Sequence, residues 1–360
     1  MRQYSEHQAH PIDIEALIER EPIAPMTSLM TRRIQGKVVM VTGAGGSIGS
    51  ELCKQIVKHN PEKLILLELS EFHLYSIHQE IQSILQNNDL KIPVIAALGN
   101  VQNQKRVQAL IAQHDVHTLY HAAAYKHVPL LEGEHNVIEA ISNNVFGTLA
   151  AVKAAIAERV EHFSLISTDK AVQPQNVMGA SKRLAEKIVL SLCQPHTTEC
   201  SVIRFGNVLD SSGSVVPLFK HQILHGLPVT VTDPEATRYF MSIPEAAQLV
   251  LQASGMGING KVFVLDMGQP VKIKDLAQRL GKLLQGENTN IDIQYIGLRP
   301  GEKLHESSLI SPWMTRTVHP KILVSQDNDQ SSSDIHVDLA RLQSLCDQGN
   351  LTAVRQLLFR

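Results

Sequence analysis

Lys37-Val38-Val39-Met40-Val41-Thr42-Gly43-Ala44-Gly45-Gly46-Ser47-Ile48-Gly49 is the stretch that decides the fold. Lys37 to Thr42 is short, β-branched and followed at once by glycines, the pattern of a buried parallel strand entering a turn. Ser47 to Lys58 then carries Ile48, Leu52, Ile56 and Val57 at near-helical spacing, and Asn60-Pro61 stops it before the next apolar run, KLILLEL. Strand, glycine turn, helix and strand make one βαβ unit. The cluster contains both GxGxxxG and GxxGxxG spacing. At such a turn a side chain obstructs a pyrophosphate, which otherwise receives backbone N–H groups and the positive end of the helix dipole. A glycine cluster alone can also mark a turn that merely needs positive φ; here strand, loop and helix coincide. Glu68 ends the second strand roughly 20 positions beyond Gly49, where an acid accepts hydrogen bonds from the adenosine ribose hydroxyls. A 2′-phosphate would meet this carboxylate with no arginine close behind it, so NAD is favoured over NADP.

Outward from this unit the alternation recurs. Helical spacing at Leu74 to Leu85, Val107 to Ala112 and Val137 to Ala157 separates strands at Val94 to Leu98, Thr118 to Ala122 and His162 to Ser167. A helix beginning near Asn176 and a strand at Ser201 to Arg204 follow, and the turn-rich Leu209 to Ser214 breaks the rhythm. The expectation is an α/β fold, a doubly wound parallel sheet of Rossmann type with a smaller C-terminal α/β substrate-binding lobe. Residues 1–35 are expected to pack on the core, 36–208 to form the NAD-binding domain and 209–324 the second lobe, some elements of which can return to the first. Residues 325–360 read as a linker, Ser325 to Asp334, and two short helices within Val337 to Phe359.

The 360 residues carry a formal net charge of −2 with no basic stripe interleaved with aromatics, which argues against a nucleic-acid partner. Cys53, Cys193, Cys200 and Cys346 show no CxxC pairing, and no secretory signal precedes them. They are expected to be reduced, in a cytoplasmic chain, with Cys193 and Cys200 as packing residues. No uncharged apolar run approaches the ~18 to 20 residues of a bilayer span. No metal-ligand spacing occurs among the 17 histidines, and no metal is expected.

After the fifth strand the sequence reads STDKAV and NVMGASKR, and elsewhere HAAAYKHVPL, RFGNV and LRPGEK. On these motifs the chain resembles an extended short-chain dehydrogenase/reductase and, more narrowly, the UDP-N-acetylglucosamine 4,6-dehydratases of bacterial polysaccharide and glycan biosynthesis, over roughly Ile23 to Phe359. It is most similar to the large, membrane-anchored type, in which the usual tyrosine of YxxxK is a methionine; Met178 stands there and Lys182 is the lysine. Large-type members carry N-terminal membrane helices, so the resemblance implies a catalytic portion of a longer protein at the cytoplasmic face of the inner membrane. It also implies a homodimer or larger homo-oligomer.

The chemistry so implied is an internal redox cycle on UDP-N-acetylglucosamine: NAD takes hydride from C4, water leaves across C5 and C6, and hydride returns to C6, with C5 configuration retained. Elimination needs a base and an acid, here expected to be Lys170 and Asp169, whose burial disfavours charge in both. Because Met178 cannot remove a proton, Thr168, or a water it positions, is the candidate for the C4 hydroxyl proton. Lys182 is implied to bond the nicotinamide ribose. Asn144 is implied to order the active-site helix. The resemblance further implies that Gly43, Gly45, Gly46, Ser47, Ile48, Gly49, Glu68, Asn100, Val101, Ala122 and Ala123 hold the cofactor, with Asn100 standing where relatives have an aspartate on adenine. Lys126, Asn207, Arg238, Arg299 and Glu302 are implied to bind the nucleotide-sugar, Arg299 as the diphosphate clamp and Glu302 near the uridine ribose. His121 and His127 are expected to be structural. Two alternatives stand beside this reading: a UDP-sugar 4-epimerase, which needs no elimination pair, and a non-catalytic NAD-binding sensor or scaffold.

Overall fold

The structure, a computed structural model, describes residues 17–18, 20, 23–192, 198–307, 309–310, 314–326 and 335–359. The apolar run after Lys37 forms β1 (Val38–Thr42), buried along its whole length. Side chains alternate across it as a pleat requires: Val38 and Met40 join one hydrophobic core, and Val39 and Val41 the other. Five further parallel strands share this sheet: β2 (Lys63–Glu68), β3 (Val94–Leu98), β4 (Thr118–His121), β5 (His162–Thr168) and β6 (Glu199–Phe205). Their order is β3-β2-β1-β4-β5-β6, so the chain reverses direction between β1 and β4. Thr42 pairs with Leu67 on one side and His121 on the other, which brings the C-terminal ends of β2, β1 and β4 level. A crevice at such a reversal is where doubly wound sheets bind ligands.

Helices cover both faces. On one, the helix Ser47–Ile56 buries Gly49, Leu52, Cys53 and Ile56, a stripe of three- and four-residue steps that packs with Ala246, Ala247 and Val250 of the helix Ile243–Gly255. On the other lie the helices Gln104–His114, Gly147–Ala157 and Val177–Leu192. Two C-terminal helices, Ile335–Asp347 and Leu351–Leu358, add Leu339, Leu342 and Val354 to that core. The stretch Glu134–Ala157 is long and apolar enough to cross a membrane, but 67% of its apolar window is buried inside the fold.

The strand Lys261–Leu265 pairs parallel with β6, and the strands Ile322–Val324 and Thr315–Arg316 extend the sheet antiparallel. The second lobe has its own core, in which Val216, Phe219 and Ile223 meet Ile273, Leu276 and Leu280 of the helix Ile273–Gln285. The helix carrying the first three, Val215–Leu224, was not read from the sequence. Leu17 is buried in this core. Arg20 pairs with Glu245 at 2.8 Å. Cys53 and Cys346 are buried free thiols, whereas Cys200 is disulfide-bonded, contrary to the expectation of a reduced packing residue. Cys193 and residues 327–334 of the expected linker lie outside the described residues.

Candidate active site

At the glycine turn the backbone leaves no room for side chains. Gly43 has φ +65°, and a Cβ on it would sit 2.7 Å from the Ala123 Cα; one on Gly49 would sit 2.0 Å from the Gly43 carbonyl oxygen. Gly46, the N-cap of the helix Ser47–Ile56, supplies no side-chain cap. The helix start therefore presents its positive end without a competing acceptor, which fits a pyrophosphate. The Glu68 carboxylate accepts from Gly45 N at 3.0 Å, Leu69 N at 2.9 Å and Ser70 N at 3.0 Å, tying the turn to the end of β2. Glu68 Oε2, which among the described residues accepts only from Gly45 N, has capacity for a further donor such as a ribose hydroxyl. Asn100 Oδ1 accepts from Gln102 N at 2.9 Å. Val101 is buried against Gly147 rather than open to a ligand.

Gly46, Ser47, Ile48, Gly49 and Ala122 form one end of a cavity of about 760 Å³ that runs on past Thr168, Lys170, Met178 and Lys182 to Arg238, Arg299 and Glu302. Its middle is charged. Lys170 Nζ donates to Asp169 Oδ1 and to Asn207 Oδ1, both at 2.9 Å, and lies 3.5 Å from Glu306 Oε1. Thr168 Oγ1 also donates to Asp169 Oδ1, at 2.8 Å. Asp169 itself sits behind the cavity wall: Thr168 and Lys170 line it, and Asp169 Oδ2 is buried without a hydrogen-bond partner. Asn207, expected to face the nucleotide-sugar, has its amide oxygen on Lys170.

The electrostatics overturn one expectation. Burial alone pushes the Lys170 pKa down, but the charges of Asp169 and Glu306 outweigh it and raise the pKa above its ordinary value. The resting residue is thus an ammonium, not the free amine expected from desolvation. Glu306, with its side chain only 5% exposed, was missed in the sequence; its one signal was its place just after LRPGEK.

Lys182 does shift downward, to about 8, because burial outweighs the nearby Glu186. Its Nζ donates to the Ile166 carbonyl at 2.7 Å. Glu186 is held by Arg204 at 2.6 Å and accepts from Ser167 Oγ at 2.5 Å, a buried network beneath β5 that the sequence did not disclose. The expected helix Val137 to Ala157 is interrupted by a π turn, Ser142–Phe146. There Asn144 donates to Ser181 Oγ and Tyr125 O, both at 3.0 Å, and accepts from Tyr125 N at 2.8 Å. It thereby ties the loop after β4 to the helix that carries Met178 and Lys182.

At the far end, Arg238 donates to Thr237 O, Leu304 O, Lys303 O and Glu302 Oε1. It therefore organises the 302–306 segment rather than standing free as a phosphate contact. Glu302 is likewise engaged, by Arg238 and by Arg299 Nε at 3.2 Å. Arg299 is half exposed at the cavity mouth, with Lys126 and His127 on the same wall. His121 is buried between Thr42 and Thr148, and burial pushes its pKa down to about 3, so it is neutral and structural. Among the described residues no group of three or more His, Cys, Asp or Glu is placed to hold a metal ion.

The sequence profile of a family described as polysaccharide biosynthesis protein matches residues 39–327. The chain belongs to this family. The capsular polysaccharide biosynthesis protein CapD of Staphylococcus aureus is 50% identical over 299 residues, which cover 83% of this chain and 49% of CapD. The chain thus spans about half the length of that curated relative. A UDP-glucose 4-epimerase of Rickettsia prowazekii (strain Madrid E) is 37% identical, over 78% of this chain and 80% of the relative. Among solved structures, Pen from Bacillus thuringiensis matches this family member with TM-score 0.72 and 30% identity, over 81% of this chain and 90% of Pen. A double mutant of DesIV, a dTDP-glucose 4,6-dehydratase from Streptomyces venezuelae solved with NAD and DAU bound, shares the fold at TM-score 0.64 and 18% identity, covering 75% and 87%.

Proposed function

We propose that this chain is an NAD-dependent nucleotide-sugar 4,6-dehydratase that converts UDP-N-acetylglucosamine to UDP-2-acetamido-2,6-dideoxy-4-keto-hexose, with C5 configuration retained, for bacterial surface polysaccharide. The observation that carries this reading is the Thr168-Asp169-Lys170 cluster at the mouth of β5, on the cavity that begins at the glycine turn. An elimination pair is superfluous for oxidation at C4 alone.

The chemistry that NAD supplies when bound is hydride removal at C4 and hydride return at C6. Gly46 and the start of the helix Ser47–Ile56 would hold its pyrophosphate, Glu68 its ribose, and Lys182 the nicotinamide end. The protein moves the protons. Thr168 accepts the C4 hydroxyl proton while passing its own along the 2.8 Å bond to Asp169 Oδ1. Met178 takes no part in this transfer, because a thioether carries no proton. Asp169, neutral once loaded, supplies that proton to the departing C6 hydroxyl, with Thr168 as its outlet on the wall. Lys170 removes the C5 proton, made acidic by the neighbouring ketone.

A second reading, UDP-sugar 4-epimerase, is favoured by the name of the Rickettsia relative. Incubation of the purified chain with NAD and UDP-N-acetylglucosamine, followed by mass spectrometry of the nucleotide-sugar, separates the two. Loss of one water supports the dehydratase, and an isobaric product supports the epimerase. No turnover with NAD bound overturns both in favour of a sensor.

A further inference from the structure

We propose that Glu306 is the proton acceptor that converts Lys170 from an ammonium into the free amine that takes the proton from C5. This rests on the dehydratase reading and answers a difficulty within it. Two protons must be housed before elimination can begin: the one leaving the C4 hydroxyl and the one that Lys170 already carries. Asp169 takes the first through Thr168. Once loaded it cannot take the second, and among the described residues Glu306 is the other carboxylate beside Lys170 Nζ, at 3.5 Å.

The surroundings prepare this carboxylate for the task. Its side chain is 5% exposed, yet Glu306 lines the cavity. Arg238 bonds the Lys303 and Leu304 carbonyls, and Thr237 bonds His305, so the segment ending in Glu306 is pinned to the strand Thr237–Arg238. The charged groups facing the pair are few. Lys170 meets Asp169 from its own turn, Glu306 from the 302–306 segment and Arg238 from the strand Thr237–Arg238. Glu306 meets Lys170 and, at 3.9 Å, Arg238 Nε. Glu302 is engaged by Arg238 on its far side, and Lys303 points away to the Gln173 carbonyl.

This geometry sets the order of events. While Asp169 is an anion, two carboxylates hold the proton on Lys170. When the C4 proton neutralises Asp169, the larger part of that hold disappears. Rotation of the flexible lysine stem then brings Nζ to Glu306: the Nζ–H bond breaks, its electron pair stays on nitrogen, and an Oε1–H bond forms. The free amine takes the C5 proton. The C5–H electron pair becomes the C5–C6 double bond as the C6–O bond breaks, and the oxygen leaves as water with the proton from Asp169. On completion Lys170 returns its proton to C5 and recovers one from Glu306, so water is the only net loss. The base exists only after the ketone does.

A merely structural Glu306 predicts the opposite sign. If it only anchors Lys170, Glu306→Gln removes an anion, weakens the lysine's hold on its proton and leaves turnover at neutral pH equal or higher. As acceptor, its loss lowers kcat about 100-fold at neutral pH. The test measures kcat, KM, incorporation of solvent deuterium at C5 and absorbance of reduced nicotinamide from about pH 6 to pH 9 for wild type, Glu306→Gln and Glu306→Asp. In Glu306→Gln, kcat and C5 exchange fall together with KM little changed, reduced cofactor accumulates, and the deficit narrows as hydroxide substitutes at high pH; Glu306→Asp keeps most activity. Wild-type turnover in Glu306→Gln, or a profile merely displaced to lower pH, overturns the proposal while the dehydratase reading stands. A wild-type chain that releases no water overturns the reading and the proposal with it.

Discussion

At the glycine turn, position is set by backbone against backbone: Gly43 lies on Ala123, and Gly49 lies on Gly43. At the mouth of β5, position is set by charge, with Lys170 drawn between Asp169, Asn207 and Glu306, and Glu186 paired with Arg204 beneath. The first arrangement packs backbone on backbone, both within the turn and against Ala123 at the exit of β4, and tolerates no added atom. The second collects side chains from distant segments and depends on which of them are charged. One end of the cavity should therefore fail by steric exclusion, and the other by loss of a protonation state.

The largest expected effect tests the charged end alone. Lys170→Arg preserves the cation and its carboxylate partners but installs a group that does not give up its proton. Under the dehydratase reading kcat falls about 1000-fold in the product-mass assay, while NAD binding by calorimetry and the melting temperature change little. Wild-type turnover by this variant removes Lys170 as the base.

Gly49→Ala is the converse. Its methyl would lie 2.0 Å from the Gly43 oxygen, and backbone cannot swing aside as a side-chain tip does. Unfolding by denaturant is expected to show a loss of about 3 kcal/mol, accompanied by loss of NAD binding. If the variant folds and binds NAD normally, backbone packing is not what holds this end.

The smallest effect is a slope. Lys182 falls from an ordinary 10.5 to about 8 in the folded chain. Between those values the unfolded chain binds more protons than the folded one, so stability rises with pH across that window; below about 8 both forms are protonated and Lys182 contributes no slope. Lys182→Met is expected to flatten the rise, and an unchanged slope would show that the lysine is less desolvated than its position indicates.

How far each end could be read in advance follows the same division. The glycine spacing, Glu68 at the end of β2 and the alternation of strands with helices were legible because each is a local pattern of period, turn chemistry and reach along the chain. The short strands Thr315–Arg316 and Ile322–Val324 were not, since so few residues carry no period and their pairing is entirely non-local. The break at Asn144 was hidden inside an apolar helical pattern; only the presence of Tyr125 and Ser181 shows why the helix gives way there. Thr168, Asp169 and Lys170 were found as neighbours in the chain, but the charge state of Lys170 was misjudged because Glu306 enters from another segment.

By itself the sequence determined the sheet, its glycine turn and the identity of the residues that end β5, since hydrophobic period and backbone sterics act over a few residues and are written in order. Only the tertiary structure decided that Lys170 rests as an ammonium, that Arg238 is a staple, and that Glu306 faces the cavity. Those outcomes depend on Coulomb interactions and desolvation, which vary with distance in space and not with separation along the chain.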